Sequence, residues 1–176
     1  MELGELMARR QASVNPSNHP NELFQLFSIP AFDSREPETL IGADIGSTKK
    51  TVEPGDVLLS RIVTHIRRAW VVPEKNDKRQ IASGEWIVFR GAQFYPPYLR
   101  YFLTSDRFHA QFMNTVAGVG GSLVRARPDH VAKIPITLPR VEEQKRIAAI
   151  LDKADAIRRK RLEAISLVSE LINSRF

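Results

Sequence analysis

Guanidinium, imidazole and hydroxyl groups crowd into one short stretch, Ser60-Arg61-Ile62-Val63-Thr64-His65-Ile66-Arg67-Arg68. Such a mixture grips phosphate oxygens, and an arginine within it can hydrogen-bond the edge of a guanine with both arms. Arg61, Thr64, His65, Arg67 and Arg68 are therefore the leading candidates for contacts to nucleic acid. A second stretch, Gly120-Gly121-Ser122-Leu123-Val124-Arg125-Ala126-Arg127, offers close backbone approach through Gly120, Gly121 and Ser122 and two further guanidiniums from Arg125 and Arg127. Lys49, Lys50, Lys78 and Arg79, with Arg90, are candidates for contacts to a phosphate backbone. For any one of these residues the simpler reading is a solvated surface charge.

Catalytic chemistry has much weaker support. The four histidines, at 19, 65, 109 and 130, lack a metal-ligand spacing such as His-x-x-x-His, so neither a metal site nor a catalytic group is expected. The Gly118–Gly121 region lacks the Lys-Ser/Thr of a phosphate-cradling P-loop, and no cofactor site is expected. Pro128-Asp129 followed by Glu143-Gln144-Lys145 is similar to the elements of a metal-dependent nuclease, which would use Asp129, Glu143 and Lys145. That chemistry needs its carboxylates on adjacent strands around a shared divalent ion. Glu143 and Lys145 instead open a helical pattern, where Glu142 and Glu143 complement the helix dipole. Tyr95-Pro96-Pro97-Tyr98 resembles the segment with which amino-methyltransferases hold a flipped adenine, but a phenol stands where the amine-accepting polar side chain belongs.

The elements that must position these groups change character near Pro139. Before it, short runs rich in Val, Ile, Phe and Trp lie between turn residues, and strands are expected over residues 23–29, 56–63, 69–72, 81–89 and 133–138. The last, with Ile134, Ile136 and Leu138 alternating around Pro135, reads as an edge strand. Pro97 can start a helix carrying Leu99, Phe102 and Leu103, and Ser105 can cap a second one whose stripe of Phe108, Phe112, Met113 and Val116 is explained by core packing. After Pro139 no Gly or Pro interrupts residues 141–176. Ile147, Ile150, Ala154, Ile157, Arg161, Ala164, Val168 and Leu171 recur at alternating steps of three and four, the seam of a helix that packs along another helix. The expected class is α+β: a mixed-sheet domain with short helices over 1–139, then one long helix over 140–176. A helix of that length spans about 50 Å, so part of it is expected to project and find a partner; folding back as a hairpin is the alternative.

Composition bounds the partners. Charge is divided unevenly, −4 over residues 1–60, +7 over 61–135, +1 over 136–140 and +2 over 141–176, so the positive excess is concentrated in the middle of the chain. The absence of cysteine excludes disulfide frameworks, thiolate metal sites and thiol catalysis and fits a cytoplasmic protein. No apolar run is long enough to span a bilayer, and no membrane partner is expected.

Several ordered segments carry a family resemblance. They are Glu22-Leu23-Phe24 through Ser28-Ile29-Pro30-Ala31-Phe32-Asp33, Pro54-Gly55-Asp56-Val57-Leu58-Leu59-Ser60, Ile81-Ala82-Ser83-Gly84-Glu85-Trp86-Ile87-Val88, Tyr98-Leu99-Arg100-Tyr101-Phe102-Leu103-Thr104-Ser105, Ile134-Pro135-Ile136-Thr137-Leu138-Pro139, and Glu142-Glu143-Gln144-Lys145-Arg146-Ile147-Ala148-Ala149-Ile150-Leu151-Asp152. Together they resemble the target-recognition domain and spacer helix of the specificity subunit of type I restriction-modification systems. The resemblance implies a non-catalytic reader of double-stranded DNA that recognises one half of a split target in the major groove. It also implies methyltransferase and restriction subunits as partners. A full specificity subunit of the family holds two recognition domains and two spacer helices, whereas this sequence holds one of each, so the resemblance implies either a half-subunit that pairs as a homodimer or with another specificity half through the helix, or a fragment of a longer subunit. The competing class is a protein-interaction module that works through the same helix.

Overall fold

The computed structural model describes residues 1–75, 77–117 and 124–173, with side chains described as far as residue 170. In chain order its strands are β1 (Ser13–Val14), β2 (Leu23–Phe27), β3 (Glu38–Ile41), β4 (Lys49–Thr51), β5 (Val57–Ser60), β6 (Ala69–Val71), β7 (Arg79–Ala82), β8 (Trp86–Phe89), β9 (Val116–Ala117) and β10 (Arg125–Ala126). The helices are α1 (Ile29–Ser34), α2 (Pro96–Thr104), α3 (Asp106–Met113), α4 (Pro128–Val131) and α5 (Val141–Asn173).

The strands form three small sheets, ordered β1-β4-β7-β2-β3, β6-β5-β8 and β10-β9. Pairing is antiparallel except between β2 and β7, where Leu26 lies opposite Ile81 in a parallel pair. The class is α+β, as the sequence implies. The expected strand over residues 81–89 is two strands in different sheets. Ser83-Gly84-Glu85 turns the chain between them, with Trp86 N–H donating to Ser83 O at 3.3 Å. Trp86 then locks the two sheets together: fully buried, its Nε1 donates to Phe27 O at 2.9 Å across the layer.

Other expectations change for local reasons. The run that begins at Leu23 stops at Phe27, because Ser28 caps a helix (its Oγ accepts from Ala31 N–H at 3.0 Å) and Pro30 stands in the first turn. Residues 133–138 form no strand. Their alternation is real, with Ile134 and Ile136 buried, but their partner is the amino-terminal segment through a single bridge, Glu2 to Pro135. Leu3 N–H donates to Ile134 O at 3.0 Å and Ile136 N–H to Met1 O at 3.0 Å. Gly4 permits that approach, since a Cβ there would lie 3.0 Å from the Cβ of Ala132.

α2 packs against β5 and β6 and α3 packs against α2, their side chains sharing a core cluster that includes Leu99, Leu103, Phe108, Phe112, Val57 and Phe89. Ser105 caps α3 as its position suggests, accepting from Phe108 N–H at 3.3 Å. Met113 does not join the buried stripe; it is exposed.

α5 is one continuous helix and does not fold back. Its first turns are fixed to the domain by Gln144, fully buried, whose Oε1 accepts from Tyr95 N–H at 2.7 Å and whose Nε2 donates to Pro139 O at 2.9 Å and Gln93 O at 3.3 Å. One turn on, Ala148 is buried. Tyr101 Oη then donates to Asp152 Oδ1 at 2.6 Å and lies 3.2 Å from Asp155 Oδ2. Burial and these carboxylates push the Tyr101 phenol well above its ordinary pKa. Every side chain from Ile157 to Glu170 is exposed. The face used within the chain, Gln144, Ala148, Leu151 and Asp155, is thus not the seam. Ile147 is half-buried at its edge, and Ile150, Ala154, Ile157, Arg161, Ala164 and Val168 face solvent. The side chain of Leu171 lies outside the described residues.

Candidate nucleic-acid interface

The basic loop between β5 and β6 is pinned at its base. Ser60 N–H donates to Arg68 O at 3.0 Å, and Arg61 N–H donates to Glu85 O at 3.0 Å. Arg61 O accepts from Ala126 N–H at 2.8 Å, and Ile62 bridges to Arg125 in β10. The loop therefore joins the β7–β8 turn to the stretch that carries Arg125. Thr64 is buried and anchors the loop from within, while Val63, His65, Ile66 and Arg67 are exposed. Arg67 reaches α3, with Nη1 at 2.6 Å from Asp106 Oδ1, and also donates to Thr104 O. Arg68 turns inward: it is buried and forms a two-point ion pair with Asp33 in α1.

Two guanidiniums from separate segments meet on one carboxylate, with an ammonium close enough to feel their charges. Arg125 Nη2 lies 2.9 Å from Glu85 Oε1, and Arg61 Nε faces Glu85 Oε2 at 3.6 Å. Lys50, on β4 opposite Ala82, donates through Nζ to Trp86 O at 2.6 Å. Burial lowers the Lys50 pKa, Arg61 lowers it further, and Glu85 opposes them. Arg61 Nε and Glu85 Oε2 are both buried without a hydrogen-bond partner among the described residues. The group of Lys50, Arg61, Arg125 and Glu85 carries two positive charges in excess, held on rigid strands and a pinned turn. It can accept an anionic oxygen without rearranging the fold.

The other candidates are dispersed. Lys49 donates to Ser47 and is lowered in pKa by burial. Arg79 begins β7, three residues and about 10 Å from Ala82; it pairs with Glu22 at 2.9 Å and lies over the Phe24 ring. Lys78 stands 3.0 Å from Asp77. Arg90 is held by Asp56 and Glu53, a structural arrangement around the buried Asp56. Arg127 is exposed at the start of α4, and Gly120, Gly121 and Ser122 lie outside the described residues. Asp129 is in α4, while Glu143 and Lys145 are in α5, so the adjacent-strand arrangement of a metal nuclease is not formed. Among the described residues, no group of three or more His, Asp or Glu side chains is placed to hold a metal ion, and no helix is long and apolar enough to cross a membrane.

Between the domain and α5 lies an open cleft of about 800 Å³, where Arg67, Arg100, Arg158 and Arg159 face Asp33, Asp152 and Asp155 beside Trp70. Glu85 and Asp33 are the residues that reading by type overlooks, because acids are not expected at a site for anions. The Ser83-Gly84 pair was the available signal that Glu85 sits in a turn rather than within a strand.

The structure is thus a mixed α+β domain carried on a long terminal helix, with a pinned basic loop at its surface. The chain belongs to the family described as the type I restriction modification DNA specificity domain, whose model matches residues 55–167. It is similar to the crystal structure of the HsdS subunit from Thermoanaerobacter tengcongensis, at 26% identity and a TM-score of 0.75, over 93% of this chain and 44% of that one. A structure described under complex assembly and conformational transition of the type I R-M system matches with a TM-score of 0.75 and 26% identity over the same shares. The chain spans less than half the length of these relatives. No curated protein matches it.

Proposed function

We propose that this chain is a non-catalytic DNA-reading unit of a type I restriction-modification assembly. In this reading, residues 1–139 recognise one half of a split duplex target and residues 140–176 form a spacer and pairing helix. The observation that carries it is the convergence of Arg61 and Arg125 on Glu85, with Lys50 held nearby on the Trp86 carbonyl, beside a loop that exposes His65 and Arg67. Phosphate oxygens suit the excess charge of that cluster, and pinned backbone around it gives the fixed register that base reading requires. The exposed seam of α5 supports pairing through that helix and docking of methyltransferase and restriction subunits.

The same exposed seam would serve a protein-interaction module that binds no DNA. Selection from a randomised duplex pool separates the two. A DNA reader enriches a defined short sequence over successive rounds; a pool that stays random after selection contradicts the assignment.

A further inference from the structure

Val63 stands at φ 49°, in the left-handed region that a β-branched residue almost never adopts. Such strain persists only where the surroundings over-determine the backbone. Here they do: the Ser60–Arg68 and Arg61–Glu85 hydrogen bonds, the Ile62–Arg125 bridge and buried Thr64 fix the chain on both sides. Ile66 N–H donates to Val63 O at 3.0 Å, so the two apolar side chains occupy the ends of one four-residue turn. Both are open to solvent, Val63 at 38% and Ile66 at 44% of full exposure. Within the chain this choice is unfavourable twice over. The valine leaves more than a third of its surface in water, and a glycine would relieve the strain. The exposed part of its side chain is available to a group outside the chain.

The surroundings select the kind of partner. His65 lies between the two, Arg67 follows Ile66 and pairs with Asp106, and Arg61 leads into the cluster on Glu85. Two apolar groups set among cations are too small a patch for a stable protein interface. They match a duplex edge, where the cations meet phosphates and the thymine C5-methyl is the apolar group displayed in the major groove. We propose that Val63 and Ile66 are specificity-determining residues that pack against a thymine methyl group of the target. This inference rests on the DNA-reading assignment and deepens it.

The test compares the full chain with its Val63→Gly variant. Glycine tolerates the positive φ, so relieved strain offsets the added unfolded-state entropy and lost side-chain contacts and the variant keeps the fold, checked by its melting temperature. The wild-type chain should select a sequence containing thymine, and deoxyuridine at that position, which lacks only the methyl, should weaken binding about fourfold. Val63→Gly should bind the thymine and uracil duplexes equally while keeping the wild-type salt dependence. Equal discrimination by wild type and variant overturns the proposal, as does a wild-type preference indifferent to uracil at every thymine. A wild-type chain that selects no sequence removes the DNA-reading assignment itself, an outcome distinct from both.

Discussion

Arg68 meets Asp33 in a two-point ion pair, Nε to Oδ1 at 2.8 Å and Nη2 to Oδ2 at 2.9 Å, which ties the end of the basic loop to α1. The adjacent guanidiniums of Arg67 and Arg68 therefore do different work. Arg67 is exposed at the surface, whereas Arg68 is buried and holds the loop in place. Asp33→Asn leaves a buried charge without its counter-ion and is expected to cost about 2 kcal/mol, below the usual 3–5 for buried pairs because Asp33 is half open to water. Urea denaturation of the variant checks this, with an unchanged midpoint as the contrary result.

The same pair gives stability a pH dependence. The Arg68 hydrogen bond holds the Asp33 carboxyl below its ordinary range. A depressed folded-state pKa means that the pair contributes fully above the unfolded value of about 4 and loses its contribution as pH falls through the lower folded value. Acidification from about pH 5 to pH 2 should therefore lower the wild-type urea midpoint more than that of Asp33→Asn. Parallel curves would show that the pair contributes nothing.

At the Glu85 cluster, Arg125→Ala and Arg61→Ala should each weaken duplex binding and reduce the salt slope by about one. Glu85→Gln should act in the opposite sense at low salt, because it removes the carboxylate that offsets Lys50, Arg61 and Arg125. Its duplex affinity should rise while its sequence discrimination falls, since two arginines lose the group that aims them. Fluorescence anisotropy with matched and scrambled duplexes measures both. A Glu85→Gln variant with unchanged affinity and discrimination would exclude the cluster from the interface.

Much of this architecture was legible in residue patterns. Glycine-free and proline-free residues 141–176 read as one long helix, which the structure describes over Val141–Asn173, and Ser105 read as a cap once Phe108 and Phe112 were placed on a buried face. Illegible features share a cause: they depend on partners far away in the chain. The run 81–89 looks continuous because both halves are buried, and only the crossing of Trp86 toward Phe27 shows that it changes sheet. The alternation around Pro135 reports burial against Leu3 rather than membership of a sheet. Arg68 and Arg67 are the same residue type in adjacent positions, and no local pattern assigns one to Asp33 and the other to the surface.

Gln144 anchors α5 through three hydrogen bonds made by a fully buried amide. Gln144→Leu preserves volume but orphans Tyr95 N–H and the carbonyls of Gln93 and Pro139. A loss of about 2–4 kcal/mol is expected, read by thermal or urea unfolding. A neutral effect would mean that water replaces the amide freely.

Along the exposed seam, Ile157→Glu combined with Val168→Glu should abolish self-association, or association with another specificity half, without lowering the melting temperature. Both side chains are open to water in the single chain. Analytical ultracentrifugation at matched concentrations distinguishes the outcomes. Unaltered association would move the pairing surface off this face.

Duplex binding measured across a series of salt concentrations is the most direct test of DNA reading by the Lys50–Arg61–Arg125 cluster. A protein that neutralises several phosphates shows a linear fall of log affinity with log salt, with a slope near −0.9 for each phosphate contacted. For this chain the expected slope is about −3 to −5, which the loss of Arg61 or Arg125 makes shallower by about one. Binding that ignores salt, or no binding to duplex at low salt, would contradict it.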